Sequence, residues 1–428
     1  MKILVTGAGG FIGSHLVRAL HHAGHEVVCC GRNKRRLLRL FPEYAVAETD
    51  FSGEWKPEQW HPLLLGVSVV INSAGIIQER GANTFAKIHR DGPIALFQAA
   101  HQAGVRRVVQ ISALGADEEA TTAYHRTKKA ADDFLADLPI EWVILRPSLV
   151  YGPGARSQAF FAALAALPII PLAGSGEQRI QPVWVVDLVA AVVRLAQLDA
   201  PTRRRFDVVG PAPLTLKQYL VTLREWLEIP DTGTCAIPFS LIRASGVVGS
   251  LLRWEFVNRS TVSMLCRENV GDSRPLMHAI GTSMHSCAEA FREMPSGPAD
   301  RWHAGLYFLV SPLRLSIATV WVAAGVLSLT VFPAEESHAL LRSSGIPAWL
   351  APYVLNATAL LDLGLGLATL LKWCLRIVLP VQLALIALFS LIIAITLPEF
   401  WVHPFGPLVK NGPLLVGTLI LLALERKS

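Results

Sequence analysis

Residues 2–13 read KILVTGAGGFIG, and this stretch decides the fold of the first half of the chain. The β-branched run Lys2–Thr6 predicts a strand, and the amphipathic run Ile12–His22 predicts the helix that follows it. Between them, Gly7 allows a tight turn, Gly10 lets a pyrophosphate approach the backbone, and Gly13 lets the helix pack closely on the sheet. The motif therefore predicts a dinucleotide site whose phosphates lie at the helix N-terminus. The predicted contacts are Thr6, Gly7, Gly9, Gly10, Phe11, Ile12 and Gly13.

Further strand patterns follow in the first 150 residues, separated by helical patterns. They are Glu26–Cys30, Val67–Asn72, Arg107–Ser112 and Trp142–Arg146. Nearly continuous apolar strands that alternate with helices are typical of a parallel sheet covered on both faces. The sequence thus predicts an α/β Rossmann fold with a doubly wound parallel sheet. Because Cys29 and Cys30 are adjacent in one strand, we expect them to be small buried groups on opposite faces of the sheet.

The end of the second predicted strand indicates which dinucleotide would bind. Rossmann domains specific for NAD place an acidic residue there, whereas this chain reads Cys30-Gly31-Arg32-Asn33. A carboxylate would repel a 2′-phosphate, but Arg32 can bind one through two hydrogen bonds. We therefore expect a preference for NADP(H), with NAD(H) as the alternative if Arg32 is only a solvated surface charge. Further cofactor contacts are predicted at Asp50, between the strands Glu26–Cys30 and Val67–Asn72, and at Ser73, Ala74 and Gly75, directly after the latter strand.

A serine, a tyrosine and a lysine follow with the spacing of an acid–base site. Ser112 ends a predicted strand, and Tyr124 and Lys128 lie four residues apart on one face of the next helix. A phenol with a pKa near 10 is a poor base at pH 7, and a nearby ammonium group should lower that pKa. We expect Ser112 to donate to the substrate oxygen and Tyr124 to transfer the proton, with Lys128 assisting Tyr124.

These motifs together resemble the extended or atypical short-chain dehydrogenase/reductase superfamily, which includes NAD-dependent epimerases and dehydratases. The matching stretches are TGAGGFIG at 6–13, NSAG at 72–75, SALGAD at 112–117, YHRTK at 124–128, LRPSLVYGPG at 145–154 and QPVWVVD at 181–187. The likeness covers about residues 1–295 and is greatest to the branch that contains the NADPH-binding accessory subunit of respiratory complex I. It implies that Tyr124 and Lys128 contact the nicotinamide ribose. It also implies that Pro147 and Ser148 lie beside the nicotinamide.

One position departs from the pattern of that superfamily. Related enzymes often carry an Asn in the helix before the strand that corresponds to Arg107–Ser112, where the Asn completes a proton relay. This chain reads Ile88-His89-Arg90-Asp91 in that helix. His89 is as well explained as a surface residue, so the sequence does not predict the relay. Members of the complex I branch also use the cofactor structurally, so the tyrosine–lysine pair alone does not predict turnover.

The last third of the chain has a membrane composition. The chain as a whole is 52% hydrophobic and 17% charged, and its charges become sparse after Leu306. Four apolar segments there approach the ~20 residues that cross a ~30 Å hydrocarbon core. They are Pro312–Phe332, Leu350–Leu371, Leu375–Leu397 and Pro407–Leu424. We predict a four-helix transmembrane bundle rather than a soluble one; it resembles the DoxX-like family in its PFGP (404–407), KNGPL (410–414) and LALER (422–426) stretches. Asp362, near the middle of the second segment, should face the bundle interior as a functional or helix-pairing residue.

Positive residues favour one orientation of these segments. They lie near the first segment, in the second connection and at the chain end, as Arg301, Arg314, Lys372, Arg376, Arg426 and Lys427. Because Lys and Arg concentrate on the cytoplasmic side, we expect a multi-pass protein of the cytoplasmic membrane with both termini and the Rossmann domain in the cytoplasm. The predicted domains are residues 1–200 for dinucleotide binding, 201–298 for a substrate lobe and 305–428 for the membrane bundle.

Charge and cysteine content exclude other classes of function. The net charge is +6, but no basic patch is interleaved with aromatic residues, so we do not expect nucleic-acid binding. The 6 cysteines form no CxxC pair, which fits a reducing compartment, and no metal site is predicted. The favoured function is a membrane-anchored NAD(P)H-dependent oxidoreductase for a carbonyl or lipophilic substrate such as a quinone, isoprenoid or lipid. The alternatives are a non-catalytic NADPH-binding module of a membrane complex and a nucleotide-sugar epimerase or dehydratase.

Overall fold

The computed structural model describes residues 1–53, 56–251, 268–402, 404, 406 and 408–425. The chain divides into two compact units, Met1–Ala304 and Gly305–Ser428. Several residues used in the sequence predictions lie outside the described ones; these are Cys266, Phe405, Pro407, Arg426 and Lys427.

Strands and helices alternate through the first unit, as the apolar pattern predicts. The strands are β1 Lys2–Thr6, β2 Glu26–Gly31, β3 Ala45–Glu48, β4 Val69–Asn72, β5 Arg107–Ile111, β6 Glu141–Pro147, β7 Val150–Tyr151, β8 Ile170–Ala173, β9 Arg179–Ile180, β10 Val183–Trp184, β11 Arg204–Val208, β12 Leu214–Thr215 and β13 Thr234–Ile237. The helices are α1 Phe11–His22, α2 Lys34–Leu40, α3 Pro57–Leu64, α4 Gly92–Gln102, α5 Ala123–Asp137, α6 Arg156–Ala165, α7 Val185–Ala196, α8 Leu216–Trp226, α9 Phe239–Leu251, α10 Arg274–Ile280, α11 Cys287–Glu293 and α12 Pro298–Leu306. A π-helical turn, Ala86–Asp91, leads into α4.

Seven of the described strands form one parallel sheet in the order β11–β6–β5–β4–β1–β2–β3. Apolar side chains cover both faces, and the expectation for the two cysteines is confirmed because Cys29 lies in one core and Cys30 in the other. The strand order reverses between β1 and β4, and in such sheets ligands bind beyond the carboxyl ends of the strands at that point. The predicted doubly wound Rossmann sheet is therefore present.

The second unit is helical. Its helices are α13 Val310–Thr330, α14 Ala334–Ser343, α15 Ala351–Leu370, α16 Leu375–Thr396, α17 Glu399–Val402 and α18 Asn411–Glu425. Within the described residues, α13, α15 and α16 are long and apolar enough to cross a membrane. The fourth predicted span is shorter than expected, because α18 has 15 residues, or about 22 Å at 1.5 Å per residue.

Small residues bring α13 and α15 into close contact. A Cβ on Gly325 would lie 2.5 Å from the carbonyl oxygen of Ala359, and one on Gly366 would lie 2.7 Å from the Val322 side chain. Glycines at helix crossings are typical of membrane bundles, since they let backbones approach. At the bundle surface large apolar side chains are exposed, Leu391 and Ile395 among them, as a lipid-facing surface requires.

Polar groups lie inside the bundle and at one end of it. Gln382 on α16 is fully buried and donates to Thr369 Oγ1 on α15 at 2.9 Å. Asp362 is partly buried, and its Oδ1 atom has no hydrogen-bond partner among the described residues. Arg314, near the start of α13, forms an ion pair with Glu425 at the end of α18, with 3.2 Å between Nη1 and Oε1. The first and last helices of the bundle therefore meet at the same end.

Candidate nucleotide-binding and acid–base site

A cavity of about 600 Å³ opens where β1 and β4 end. Nine of the predicted cofactor contacts line it: Thr6, Gly7, Gly9, Gly10, Phe11, Arg32, Ser73, Ala74 and Gly75. The helix α1 begins beside it without a side-chain cap at Gly10, so its first N–H groups remain able to bind an anion. The glycine turn and the strand ends thus form one concave surface.

The glycines of the turn are required by backbone contacts. Gly7 has φ of +66°, and a Cβ there would lie 2.8 Å from the carbonyl oxygen of Ser73. A Cβ on Gly13 would lie 2.2 Å from the carbonyl oxygen of Gly7. Neither neighbour is a flexible side chain that could move aside. The turn therefore leaves room for a ligand only with glycine at these positions.

Part of the cavity wall is positively charged. Arg18 and Arg36 line it together with Arg32, and sequence reasoning did not single out Arg18. Arg32 donates from Nη1 to Asn83 Oδ1 at 2.8 Å. No Asp or Glu is among the described residues that line this cavity. The surface suits a phosphorylated ligand.

The other predicted cofactor contacts lie outside the cavity lining. The Asp50 carboxylate accepts the Ser52 N–H at 2.9 Å, while its neighbours Thr49 and Phe51 line the cavity in its place. Ser148 donates its hydroxyl to the Gln181 carbonyl. Ile12, Gly13 and Pro147 do not line the cavity either. For Asp50 and Ser148, hydrogen bonds within the protein occupy the predicted contact atoms.

Tyr124 and Lys128 lie on α5 next to the ends of β4 and β5. Lys128 is 4% exposed, and its Nζ donates to the Ile111 carbonyl at 2.9 Å and to the Ala74 carbonyl at 3.5 Å. Burial lowers the pKa of Lys128 to about 8. The expected fall in the pKa of the phenol is wrong for this structure, because burial and the Asp132 charge raise the pKa of Tyr124 to about 12.

The predicted role of Ser112 toward a substrate stays a prediction, and the structure shows another contact for its hydroxyl. Its side chain is buried, and Oγ donates to the Asp132 carboxylate beneath the site rather than toward a substrate. The reason is that Ser112 continues the β5 ladder, its N–H bonding the Leu145 carbonyl at 2.7 Å, so its side chain faces α5. Asp132 was not predicted, although its position four residues after Lys128 places it on the same helix face.

His89 is fully buried, so the surface interpretation is wrong. Its Nε2 accepts the Ile76 N–H at 3.0 Å, which places the ring proton on Nδ1, 3.5 Å from Thr127 Oγ1. The ring stacks on Phe85 and meets Tyr124 edge-on, with centroids 5.1 Å apart. Burial and the Lys128 charge lower the pKa of His89 well below its usual value, so the ring is neutral. The π-helical turn inserts this side chain beneath Tyr124.

His89→Phe is expected to lower the free energy of unfolding by about 1–3 kcal/mol, because the partly buried Ile76 N–H loses its acceptor. We also expect weaker NADPH binding, since Ile76 lines the cavity. Denaturant unfolding in detergent and an NADPH titration measure both effects. The control is His101→Phe, at an exposed position on α4. Unchanged stability in the His89 variant would contradict the structural role given to this ring.

A second cavity has a volume of about 150 Å³. Its lining includes Leu114 and Thr122, and Thr122 precedes Tyr124 by two residues in the sequence. The ion pair between Arg146 and Asp207, 2.7 Å from Nη2 to Oδ1, forms part of its wall. Asp187, in the QPVWVVD stretch, lines neither cavity. It is buried and accepts the His285 N–H at 2.8 Å, which fixes the segment before α11.

Two family models match the chain. The NAD dependent epimerase/dehydratase family matches residues 3–208, and the DoxX-like family matches residues 318–419. The chain is 32% identical over 200 residues to a ceramide reductase of Caulobacter vibrioides, a match that covers 45% of this chain and 59% of that protein. It is 28% identical over 241 residues to the mitochondrial NADH dehydrogenase (ubiquinone) 1 alpha subcomplex subunit 9 of Arabidopsis thaliana, covering 52% and 58%. The chain thus spans less than two thirds of either relative.

Solved structures of low identity share the fold. MoeE5 in complex with UDP-glucuronic acid and NAD has a TM-score of 0.52 at 21% identity, over 68% of this chain and 97% of that one. The NADPH-dependent quinone oxidoreductase QOR2 of Escherichia coli, complexed with NADPH, has a TM-score of 0.54 at 20% identity, over 68% of this chain and 99% of that one.

Within the described residues, no group of three or more His, Cys, Asp or Glu could hold a metal ion.

Proposed function

We propose that this chain is a membrane-anchored oxidoreductase that uses NADP(H) to reduce a carbonyl group on a lipophilic substrate. The proposal starts from the matches to the NAD dependent epimerase/dehydratase family over residues 3–208 and to the DoxX-like family over residues 318–419. The observation that carries the proposal is the tyrosine–lysine pair at the ends of β4 and β5. The buried Lys128 donates to the carbonyl of Ala74, which lines the glycine-rich cavity, and Tyr124 lies one helical turn earlier on α5, as expected of an acid–base pair for a nicotinamide cofactor.

The charges of the cavity support NADP(H) over NAD(H). Arg18, Arg32 and Arg36 line it without a described carboxylate, and guanidinium groups bind phosphate through paired hydrogen bonds. The acidic residue that would accept from an unphosphorylated ribose is missing at the end of β2, where the chain continues with Arg32. Structures that share the fold were solved with either cofactor, QOR2 with NADPH and MoeE5 with NAD, so the preference depends on the arginines.

Arg32→Ala is expected to weaken NADPH binding about 10- to 100-fold, since one charge-assisted hydrogen-bond pair is worth roughly 1.5–3 kcal/mol. NADH, which lacks the 2′-phosphate, should bind with unchanged affinity. Titrations that follow cofactor fluorescence in detergent measure both. Arg35→Ala is the matched control, because Arg35 is an exposed neighbour outside the cavity lining. An equal loss for NADPH and NADH would argue against the phosphate contact.

Each residue of the site has a chemical part in the reduction. Bound NADPH supplies a hydride for the carbonyl carbon. Tyr124 donates its proton to the carbonyl oxygen, so that the carbonyl becomes an alcohol and Tyr124 regains its proton from solvent. The pKa of about 12 keeps the phenol protonated at neutral pH, and this is the form that can donate a proton. Lys128 would contact the cofactor ribose, and its positive charge would stabilise the phenolate that forms.

The nature of the substrate follows from the membrane domain and one relative. The helices α13, α15 and α16 are long and apolar enough to cross a membrane, which favours a substrate that is itself found in the bilayer. The relative from Caulobacter vibrioides is a ceramide reductase, so its substrate class is a lipid. We therefore assign a lipid carbonyl as the substrate class, with the second cavity beside Thr122 as the place for polar groups near that carbonyl.

The test is turnover in a bilayer. The full chain in lipid nanodiscs is given NADPH and one carbonyl compound at a time: a long-chain lipid ketone, a ubiquinone and a water-soluble ketone. Oxidation of NADPH with the lipid ketone, matched by formation of the lipid alcohol, supports the proposal. Cofactor that binds and is never oxidised by any of the three contradicts it.

A non-catalytic NADPH-binding module is the second candidate, and one observation favours it. Ser112 donates to Asp132, so the site lacks the hydroxyl that was expected to orient a substrate. The relative in Arabidopsis thaliana is a subunit of NADH dehydrogenase, which is a multi-subunit complex by its name. In this case NADPH would copurify with the chain, stay reduced, and raise its thermal stability.

We propose that the chain resides in the cytoplasmic membrane, with both termini and the nucleotide site on the cytoplasmic side. The positive residues Lys372 and Arg376 flank the connection between α15 and α16, which supports a cytoplasmic position for it. The ion pair between Arg314 and Glu425 brings the first and last helices to the same end, as an even number of crossings requires.

A further inference from the structure

Five buried polar side chains form a continuous hydrogen-bonded chain in the first unit. Thr6 Oγ1 donates to Asn72 Oδ1 at 2.5 Å, and Asn72 Nδ2 donates to Gln110 Oε1 at 2.7 Å. Gln110 Nε2 donates to Asp132 Oδ1 at 3.3 Å, and Ser112 donates to the other oxygen of Asp132. All five side chains are at most 4% exposed. This buried chain runs from the strand before the glycine turn, across β4 and β5, to α5.

The backbone N–H of Ala74 sets the direction of the buried chain. It donates to Asn72 Oδ1 at 3.3 Å, which assigns that atom as oxygen and turns Nδ2 toward Gln110. Gln110 then presents Oε1 to Asn72 and Nε2 to Asp132. Every donor therefore points toward Asp132, and hydrogen bonds aligned in this way polarise one another.

Asp132 accepts hydrogen bonds on both oxygens, which is the pattern of an ionised carboxylate. A buried charge needs a counter-charge, and Lys128 lies one helical turn earlier on the same face of α5. Lys128 Nζ donates hydrogen bonds to the neutral carbonyls of Ile111 and Ala74. Asp132 therefore balances the Lys128 charge.

The charges of Lys128 and Asp132 each favour the ionised form of the other residue, and burial opposes both. Burial lowers the pKa of Lys128 to about 8, and the Asp132 charge opposes that fall. Burial raises the pKa of Asp132 to about 6, opposed by Ser112, Lys128, Gln110 and Arg205. The other titratable groups that face the pair are Tyr124 and the neutral His89. Of these, Asp132 is the group that favours the charged form of Lys128.

We propose that Asp132 is a positioning residue that keeps the Lys128 ammonium charged where it meets the cofactor, and that the buried chain holds Asp132 ionised. The proposal rests on the proposed function, because that function assigns Lys128 to the cofactor. It also gives Ser112 a different part from the one expected: Ser112 stabilises the carboxylate that balances Lys128.

The test is the pH dependence of NADPH binding to the full chain in detergent between pH 6 and 9. For the wild type, affinity should fall as Lys128 loses its proton, near pH 8. Asp132→Asn removes the counter-charge, so this fall should occur about one pH unit lower. Gln110→Met removes one donor at similar size, so the buried carboxylate loses stabilisation and the fall should move in the same direction by less.

The matched control is Asp133→Asn. Asp133 is the exposed neighbour that pairs with Lys129 and Arg205, and it should leave the pH profile unchanged. If Asp132→Asn does not fold, Gln110→Met decides alone. Profiles that coincide for the wild type and these variants overturn the proposal, even if the variants are less stable. A wild type that fails to bind NADPH at any pH overturns the proposed function instead.

Discussion

Gly13→Ala is expected to abolish measurable NADPH binding and to lower the free energy of unfolding. The added methyl carbon would lie 2.2 Å from the Gly7 carbonyl oxygen and 2.9 Å from the Ala8 Cα atom, both backbone atoms. To relieve the overlap, the glycine turn must move away from α1 and displace the N–H groups that face the cavity. Overpacking of this kind costs about 1–3 kcal/mol of stability.

A fluorescence titration with NADPH and a thermal unfolding curve measure the two effects of Gly13→Ala. Gly233→Ala is the control, because a methyl group there meets no atom within 4 Å. We expect at least a 100-fold loss of affinity in the Gly13 variant, since the turn and the helix N-terminus bind the phosphates together. An affinity within threefold of the wild type would show that the phosphates bind elsewhere.

Tyr124→Phe is expected to reduce kcat about a thousandfold, within the range of 10²–10⁴ that general acid catalysis contributes. The phenyl ring preserves the edge contacts with Phe85 and His89, so the fold and NADPH affinity should change little. The measurement is NADPH oxidation with the lipid ketone, alongside the cofactor titration. The contrast between lost turnover and retained binding separates a proton donor from a structural residue.

The control for this variant is Tyr44→Phe. It also removes a phenolic hydroxyl, but Tyr44 packs on His21 and Phe41 and is 80 residues from Tyr124 in the sequence. Full activity in Tyr124→Phe would remove the assigned acid and favour the non-catalytic module.

Much of the sheet could be predicted from the sequence because its central strands are buried on both sides. The bounds of β1 were predicted correctly, and those of β2 and β5 to within one residue, since each contains a short run of buried, mostly β-branched apolar residues. The edge strand β11 was not predicted. It reads RRFDV, and its charged residues are tolerated because an edge strand is partly exposed.

The site was predicted only in part, because the direction of a side chain depends on contacts that residue spacing does not show. Residue spacing places Tyr124 and Lys128 on one helix face, but it does not reveal the direction in which a strand-end hydroxyl such as Ser112 points. That direction depends on pairing between β5 and β6. The inward position of His89 depends on a π-helical turn, which has no periodic signature in sequence.

The buried chain also limits how protons reach the site. Two of its members, Asn72 and Gln110, are amides, which pass hydrogen bonds along but do not readily exchange a proton from one side to the other. The buried chain can therefore transmit polarity through the sheet without conducting protons. We expect the proton that each reduction consumes to enter from the open cavity side, so solvent access there limits how quickly Tyr124 is reset between turnovers.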